Sequence, residues 1–358
     1  MLTAEQKARL SDVLRPAAPP QELTGVYTDD QRDRLLGVVR DHGPWKLIIA
    51  QHFASGEELI ATMSGNMPDG VTPTLDMYLT PTFRGYLANY GTSLYPEIND
   101  CFYNDRFIDL AKQYWKAEYA KPEMMLFNIN GPCGNMDPGH LDSPSFRGLR
   151  IGNTPTWLLS VMGKSGLFQD YLIKMAQVIT WFCHDEASGF TYWPEGPLEQ
   201  PQRLLPPTYN KGVLVQNEMM VHRGEANGPL AQRKPQGLGF DTVFAGDPDD
   251  RDHWVLKTGN EVIARHRTDD LRFLVHWSAE VFADYDELKK NMDGTADLTL
   301  DQVFDTFAKD LQAGGIALDI PSEPLHDGDF IRTLSNAYDL GMPAIYPDEA
   351  KPDWMLVA

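Results

Sequence analysis

The chain has 358 residues, of which 42% are hydrophobic and 11% aromatic, enough apolar material for a substantial globular core. It carries 31 Lys and Arg against 51 Asp and Glu, which gives a formal net charge of −20 and a pI near 4.7. Such a surface repels phosphate backbones and anionic membranes, so neither nucleic acid nor a membrane is an expected partner.

The cysteines and the N-terminus favour a cytoplasmic protein. Cys101, Cys133 and Cys183 are odd in number and have no Cys-x-x-Cys spacing, which argues against a disulfide scaffold or a zinc knuckle. The first ten residues lack the apolar core of a signal peptide, and no apolar run approaches the length of a transmembrane helix. We therefore expect a reducing, cytoplasmic environment.

The first 119 residues predict helices that lead into a sheet. Thr3 is the expected N-cap of the first helix, and Gly43-Pro44 is expected to end the second. The loop predicted at 65–100 is either a wall of a substrate pocket or an ordered surface loop. In chain order, the predicted elements are a helix at 3–15, a helix at 29–42, the first strand of the main sheet at 45–53, this loop, and a helix at 105–119.

A loop rich in Gly, Pro and Asn then presents His140 and Asp142. On an extended backbone, residues i and i+2 project from the same face, so both side chains can point at one centre. A lone His-x-Asp pair usually marks a polar turn and is weak evidence for a metal site. Asp137 could replace Asp142 as the ligand, but the i+2 geometry favours Asp142.

A second segment strengthens the metal hypothesis. The β-rich run 211–224 ends in His-Arg-Gly, and its His222 lies 222 − 142 = 80 residues after Asp142. That span can hold several strands and return His222 beside the pair. Two neutral imidazoles and one carboxylate on one face of an octahedron leave positions open, the arrangement associated with non-heme Fe(II) oxygenases.

The rest of the chain predicts mainly strands. The expected elements are a strand at 154–162, a helix at 167–183, an aromatic strand at 189–196, a hairpin at 254–266, a strand at 271–282 and a helix at 299–313. Short strands on both sides of the metal residues predict an antiparallel double sheet, a jelly roll. We expect a single domain, 1–358, divided into an N-terminal helical region with the first strand (1–119), a jelly-roll catalytic core (120–285) and a C-terminal helical or lid segment (286–358).

The two motif segments resemble the Fe(II)/2-oxoglutarate-dependent oxygenase superfamily. Its pattern is His-x-Asp, a long gap, a distal His often followed by a small residue, and then an Arg; His140, Asp142 and His222 match this triad residue by residue. Within the superfamily, the chain resembles the phytanoyl-CoA hydroxylase-like branch. The resemblance covers residues 120–285 and implies a mainly β fold with flanking helices around a double-stranded β-helix (jelly-roll, cupin-like) core.

The resemblance also implies the chemistry. The cofactors would be Fe(II), 2-oxoglutarate as cosubstrate and O2, and the co-products succinate and CO2. Asp142 stands where related halogenases carry a small residue that is not a ligand, so hydroxylation is the expected outcome. Desaturation or ring formation uses the same ligands and stays open.

The superfamily uses an Arg after the distal His to bind the far carboxylate of 2-oxoglutarate, and two positions compete here. Arg233 has the usual spacing, 233 − 222 = 11, but its surroundings do not resemble a strand. Arg272 opens a convincing strand and is favoured, although it requires an insertion. For either, the alternative is a surface or structural ion pair. Trp157 is assigned to the cofactor pocket, and the mid-strand His276 is expected to be a core histidine or part of the pocket wall.

The substrate is predicted to be a small organic molecule, an amino acid or a carboxylated natural-product intermediate. Arg147 and Arg223 lie near the metal segments in sequence and are expected to bind a carboxylate, with Trp193 beside them. Tyr192 and Trp277 are further candidates for the pocket wall. The sequence is also compatible with a homodimer. Two alternatives remain: a cupin-like metal enzyme that does not use 2-oxoglutarate, and a non-catalytic jelly-roll binding protein.

Overall fold

The computed structural model describes residues 4–53, 55–57, 60, 74–134 and 137–356. The strands are β1 (Gln21–Thr24), β2 (Trp45–Lys46), β3 (Phe83–Asn89), β4 (Thr92–Ser93), β5 (Tyr119–Asn130), β6 (Lys174–Phe182), β7 (Phe190–Trp193), β8 (Gln202–Leu204), β9 (Lys211–Val215), β10 (Val221–Gly224), β11 (Val243–Gly246), β12 (His253–Thr258), β13 (Glu261–Arg267) and β14 (Arg272–Phe282). The longer helices are α1 (Ala4–Val13), α2 (Asp29–Asp41), α3 (Asp105–Trp115), α4 (Thr156–Ser165), α5 (Tyr285–Asp293), α6 (Leu300–Ala313) and α7 (Gly328–Ala337).

The strands form three antiparallel sheets. The major sheet has the order β1-β9-β6-β14-β5-β3-β4, and the minor sheet has the order β10-β7-β8. A further sheet, β13-β12-β11-β2, contains the predicted hairpin as β12 and β13. No helix within the described residues is long and apolar enough to cross a membrane.

The strand pairing is that of a jelly roll. Along the chain, β5 pairs with β14, the His140 segment bridges to β10, β6 pairs with β9, and β7 pairs with β8. Numbered along the chain, the first of these eight segments therefore pairs with the eighth, the second with the seventh, the third with the sixth and the fourth with the fifth. Two Greek keys produce this nested pairing. The predicted fold class, a double-stranded β-helix core with flanking helices, is confirmed.

The two faces of the major sheet pack against different parts of the protein. Alternate residues of a strand point to opposite faces, and on β14 the side chains of Phe273, Val275 and Trp277 pack into the outer core beneath the helices. Trp277 donates its Nε1–H to the Phe102 carbonyl at 2.8 Å, so this pocket candidate lies on the outer face. On the inner face, Leu274 packs against an apolar cluster that joins the two sheets, formed by Ile179, Trp181, Phe190, Tyr192, Leu204, Val213, Val215 and Met220.

The helices predicted in the N-terminal region are confirmed as α1, α2 and α3. Thr28 and Gln31 form a capping box at the start of α2, which satisfies two of its free N–H groups. The expected N-cap Thr3 lies outside the described residues, as do residues 65–73 of the predicted loop. Over the described remainder of 65–100, the loop prediction is wrong at β3, at β4 and at two short helical segments, Leu75–Tyr78 and Pro96–Ile98.

Two neighbouring predictions were reversed. Residues 154–162 were expected to be a strand, but α4 occupies Thr156–Ser165; residues 167–183 were expected to be a helix, but β6 occupies Lys174–Phe182. Apolar runs of this length do not distinguish a buried strand from a buried helix by periodicity alone. β6 is buried on both faces because it lies near the middle of the major sheet, and its β-branched and aromatic residues suit that environment.

The strand predicted at 45–53 is mostly wrong. Only Trp45–Lys46 is strand, and it pairs with β11 in the four-stranded sheet rather than in the main sheet. The Trp45 ring packs edge-on against Phe127, with centroids 4.9 Å apart, and its Nε1–H donates to the Val39 carbonyl at 2.6 Å. The chain then turns through a helical turn at Ile49–His52. Packing of these apolar side chains, rather than strand pairing, accounts for their hydrophobicity.

The C-terminal part packs against the outside of the jelly roll. The helix predicted at 299–313 is confirmed as α6, and the strand predicted at 271–282 as β14. α6 and α7 pack with α1 and α4 around a second apolar core. The segment around Tyr346 lies beside the metal-motif loop, since the Tyr346 hydroxyl donates to the Pro138 carbonyl at 2.7 Å. The division into regions and the lid role of 286–358 stay predictions.

Candidate metal centre

The main chain brings the two histidines side by side. His140 donates its backbone N–H to the His222 carbonyl at 3.0 Å, and His222 donates back to the His140 carbonyl at 3.0 Å. This reciprocal pair joins the second and seventh strands of the jelly roll and places the two imidazole centroids 4.5 Å apart. Because the pairing fixes both Cα positions, the sheet itself holds the two rings in place.

Asp142 completes the group. Its backbone N–H donates to the Asn217 carbonyl at 3.2 Å, and its Oδ1 lies 3.8 Å from Nε2 of His222. One ligand atom from each of His140, Asp142 and His222 lies within 4.8 Å of the others, a separation that small side-chain rotations close around one ion. Oδ2 of Asp142 is buried without a hydrogen-bond partner among the described residues, as expected of a carboxylate whose partner is a cation.

Hydrogen bonds on the far side of each ring orient the histidines. Nδ1 of His140 lies 2.6 Å from Oδ2 of Asp137, and because an ionised carboxylate only accepts, that nitrogen carries the proton. Nδ1 of His222 likewise donates to the Met220 carbonyl at 2.9 Å. Each ring in its neutral form therefore keeps its proton on Nδ1 and presents Nε2, the atom that binds a metal in such carboxylate- or carbonyl-supported histidines. Asp137 thus takes an orienting position, and Asp142 is the carboxylate in the three-residue group.

The two histidines differ in proton affinity. Desolvation by the surrounding protein would lower the pKa of the half-exposed His140, but the Asp137 carboxylate and its hydrogen bond raise it to about 9. Burial and the neighbouring His140 lower the pKa of His222 to about 4. His222 is therefore neutral at pH 7, whereas a metal ion must displace a proton from His140 when it binds.

Arg272 lies beside the same strand as His222. Its buried guanidinium donates from Nη1 to the Glu225 carbonyl at 2.6 Å and from Nη2 to the Gly189 carbonyl at 3.3 Å. A Cβ at Gly224 would lie 2.9 Å from Nη2, so a larger residue there would require the guanidinium to shift. Burial lowers the pKa of Arg272. The favoured arginine thus reaches the interior beside the metal strand.

Arg233 has a different environment. Its Nη1 donates to Oδ1 of Asp353 at 2.8 Å, and its Nε donates to the Gly228 carbonyl at 2.9 Å. The side chain therefore ties the loop after β10 to the C-terminal segment. This is the structural ion pair that the sequence offered as the alternative for Arg233.

The remaining predicted residues are not gathered at the triad. Arg223 follows His222 and points to the opposite face of β10, where Nη1 donates to the Ala350 carbonyl at 3.1 Å. Trp193 is fully buried, and its Nε1 donates to the Ile345 carbonyl at 3.1 Å. Arg147 lies over the Tyr171 ring, and Trp157 packs against the second apolar core. Among the described residues, none of these four has a hydrogen bond, ion pair or ring contact with the triad.

Sequence reasoning missed a polar layer beside Asp142. Arg84 on β3 donates from Nε to Oδ1 of Asn128 on β5 at 2.9 Å. Glu218 is buried and accepts a hydrogen bond from Gln177; burial and the Asp142 carboxylate raise the pKa of Glu218 to about 8. These residues carry no motif. Their closeness to Asp142 appears only in the folded chain, where the Asp142 charge shifts the pKa of both Arg84 and Glu218.

The proteins found to be similar to this chain are solved structures. No protein-family model and no curated protein matches the sequence. The chain is similar to an oxidoreductase of the 2OG-Fe(II) oxygenase family from Burkholderia pseudomallei, with 10% identity over 78% of this chain and 92% of that chain and a TM-score of 0.36. It is similar to the collagen prolyl hydroxylase vCPH of Paramecium bursaria Chlorella virus-1 in its 2-oxoglutarate complex, with 9% identity over 74% and 98% and a TM-score of 0.34.

A further similar structure is HygX from Streptomyces hygroscopicus with nickel and 2-oxoglutarate bound. The identity is 11% over 78% of this chain and 88% of that chain, and the TM-score is 0.32. Similarity at such low identities and TM-scores does not assign a function to this chain. The geometry of its own residues must support any function proposed for it. The assignment to the phytanoyl-CoA hydroxylase-like branch stays a prediction.

Proposed function

We propose that this chain is a non-heme Fe(II)/2-oxoglutarate-dependent dioxygenase that oxidises a small organic molecule, by hydroxylation as the default outcome. The observation that carries the proposal is the convergence of His140, Asp142 and His222, with each ring held through Nδ1 so that Nε2 is the atom left for a metal, and with Oδ2 of Asp142 lacking a hydrogen-bond partner among the described residues. Two imidazoles and one carboxylate suit Fe(II) and leave positions for other ligands.

These three residues would hold the iron, and other residues would support them. When bound, Fe(II) and 2-oxoglutarate would supply O2 activation, with succinate and CO2 as co-products. Asp137 and the Met220 carbonyl keep the two imidazoles in the tautomer and orientation that coordination needs. Phe190, whose ring centroid lies 5.6 Å from that of His222, belongs to the apolar cluster that joins the two sheets, and such a cluster would limit access of water to the metal.

Arg272 is the residue that we assign to the far carboxylate of 2-oxoglutarate. A planar guanidinium binds a carboxylate through two parallel hydrogen bonds, and this one lies in the interior beside the strand that carries His222. Arg233 is the weaker candidate because Asp353 already neutralises it. Co-product formation, the small-molecule substrate, cytoplasmic location and a homodimer belong to the proposal as well.

One observation favours the cupin-like alternative. The Nη groups of Arg272 already donate to the carbonyls of Glu225 and Gly189, a structural role that needs no ligand. If that role is the whole of its function, the chain would bind a metal without 2-oxoglutarate. The two functions differ in whether the cosubstrate binds to the iron-loaded protein.

The deciding experiment is an anaerobic titration of metal-free protein with Fe(II) and then 2-oxoglutarate. We expect the visible charge-transfer band of an iron-bound 2-oxo acid, its loss in His222→Ala, and its retention in His253→Ala, a control at a histidine paired with Asp250 on β12. Arg272→Gln should weaken 2-oxoglutarate binding and Arg233→Gln should not. Iron binding without a band would support the cupin-like enzyme, and absence of iron binding would refute the metal site.

A further inference from the structure

A second arginine faces the interior close to the metal ligands. Arg84 lies between Phe83, which packs in the outer core, and Gly85, which packs beneath Trp45; alternation therefore turns Arg84 to the inner face of the major sheet. It is in register with Asn128 of β5, whose neighbours Phe127 and Ile129 also point outward. Both polar side chains thus belong to the layer that contains the metal ligands.

The guanidinium of Arg84 is held along one edge only. Its Nε donates to Oδ1 of Asn128 at 2.9 Å, and Gln51 anchors its main chain by donating to the Arg84 carbonyl at 2.6 Å. Within the described ranges, Nη1 and Nη2 have no hydrogen-bond or ion-pair partner. Burial lowers the pKa of Arg84, which is the mark of a cation short of acceptors.

The charges around Arg84 favour a negatively charged ligand at this position. Asp142 stabilises the charged form of Arg84, while Arg84 disfavours the charged forms of His140 and His276, so all three lie within its electrostatic reach. In the proposed enzyme Asp142 binds a dication, so its negative charge no longer balances that of Arg84. A half-buried, unpaired guanidinium beside a metal ion is costly unless a ligand supplies negative charge.

That ligand is distinct from the far carboxylate of 2-oxoglutarate, which is assigned to Arg272. Arg272 pairs with Asn130 on β5, whereas Arg84 pairs with Asn128 on the other side of that strand. Two strand spacings of about 4.8 Å and two residues of about 3.3 Å separate the backbones of the arginines by roughly 12 Å. Each guanidinium is also fixed by different partners, Arg272 by the minor sheet and Arg84 by the major sheet.

We propose that Arg84, oriented by Asn128, binds a carboxylate of the organic substrate and thereby positions that substrate beside the metal. A single guanidinium with two free Nη groups matches a monoanionic carboxylate, which accepts two parallel hydrogen bonds. The inference rests on the proposed function, because it assumes that 2-oxoglutarate occupies the site at Arg272. It narrows the substrate class to carboxylic acids and replaces Arg147 and Arg223 as the anchoring residues.

The test uses simple carboxylates and their neutral amides as probes: benzoate against benzamide, and hexanoate against hexanamide. Each is titrated anaerobically into the Fe(II)·2-oxoglutarate protein, where binding beside the metal changes the charge-transfer band. The same probes are titrated against the Zn(II)-loaded protein, with the shift of its Tm as readout. We expect saturable binding of at least one acid at millimolar concentrations and none of its amide.

The variants are Arg84→Gln, Arg84→Lys and the control Arg40→Gln. Arg40 is another half-buried arginine with a pKa lowered by burial, and it donates to the His253 carbonyl at 3.1 Å, away from the metal. Arg84→Gln should weaken binding of the acids by about tenfold or more, since a charge-assisted pair is lost. Arg84→Lys should retain part of the affinity, and Arg40→Gln should bind as the wild type does.

The outcomes separate this inference from the proposed function. If the wild type forms no charge-transfer band, the proposed function fails, and the Zn(II) titration still measures the Arg84 site. If the acids bind equally well to Arg84→Gln, if the amides bind as tightly, or if no acid binds the wild type, the carboxylate subsite is refuted. If Arg84→Gln loses the 2-oxoglutarate band itself, Arg84 serves the cosubstrate and the inference is overturned.

Discussion

Replacement of Asp137 by Ala is expected to weaken metal binding while the fold remains intact. The carboxylate lies 2.6 Å from Nδ1 of His140, the distance of a charge-assisted hydrogen bond, and it fixes which nitrogen faces the metal. Removal of a carboxylate that supports a ligating histidine typically lowers metal affinity by about 10- to 100-fold, or about 1.4–2.8 kcal/mol. This is the loss that orientation alone predicts for Asp137→Ala.

The proton on His140 opposes part of that loss. Asp137 helps to raise the pKa of His140 to about 9, so at pH 7 proton competition lowers the metal affinity of the wild type by about 100-fold. The variant escapes most of this competition, which would mask the effect at pH 7. At pH 8.5 the competition is only about fourfold, and the net loss expected there is about 3- to 25-fold.

Competition between the protein and a chromogenic chelator for Zn(II) at pH 8.5 measures this loss. The matched control is Asp250→Ala, because Asp250 makes the same contact, three residues before its histidine, with Nδ1 of His253 at 2.9 Å. The control should bind Zn(II) as the wild type does. If Asp137→Ala binds as tightly as Asp250→Ala, Asp137 does not orient a metal ligand and the reasoning fails.

Three further outcomes are expected. Gly224→Ala should raise the Kd of 2-oxoglutarate by about tenfold without changing that of Fe(II), because its Cβ would lie 2.9 Å from Nη2 of Arg272; an unchanged Kd for 2-oxoglutarate, measured from the charge-transfer band, would contradict this. In metal-free protein the raised pKa of Glu218, about 8 against 4.5, lets the folded state keep a proton that the unfolded state releases. The free energy of unfolding in urea should therefore fall by about 1.4 kcal/mol per pH unit in the wild type, relative to Glu218→Gln, between pH of about 4.5 and 8. Parallel pH profiles of the two proteins would refute the raised pKa of Glu218. Zn(II) at 100 times its Kd should raise the free energy of unfolding by about 2.7 kcal/mol in the wild type and by much less in His222→Ala, and equal gains would argue against His222 as a ligand.

The triad could be predicted because short sequence segments and residue types are enough to indicate it. His140 and Asp142 are two residues apart on an extended segment, and the sequence pattern around His222 marked a β-rich run. The structure adds the reciprocal hydrogen bonds that join His140 to His222. It also separates the run 211–224 into two strands of different sheets, β9 and β10. That these residues hold iron stays a prediction.

The sequence could not identify Arg84, because its position depends on a long-range pairing. Arg84 precedes His140 by 140 − 84 = 56 residues and reaches the metal layer only through the pairing of β3 with β5. The sequence favours Arg147 and Arg223 instead, because they lie close to the motifs in sequence. Arg223 shows why that criterion fails: an arginine next to His222 on a strand must point to the opposite face.

A single strand illustrates how stability and chemistry depend on the same register. On β14, Phe273 and Trp277 point outward into the core beneath the helices, while Arg272, Leu274 and His276 take successive inward positions. The pairing of β14 with β5 and β6 on its two sides determines which set faces which way. A shift of one residue would place the arginine and histidine in the outer core and the large aromatic rings in the interior. The cost of burying those charged and polar groups without partners therefore selects the register that also builds the site.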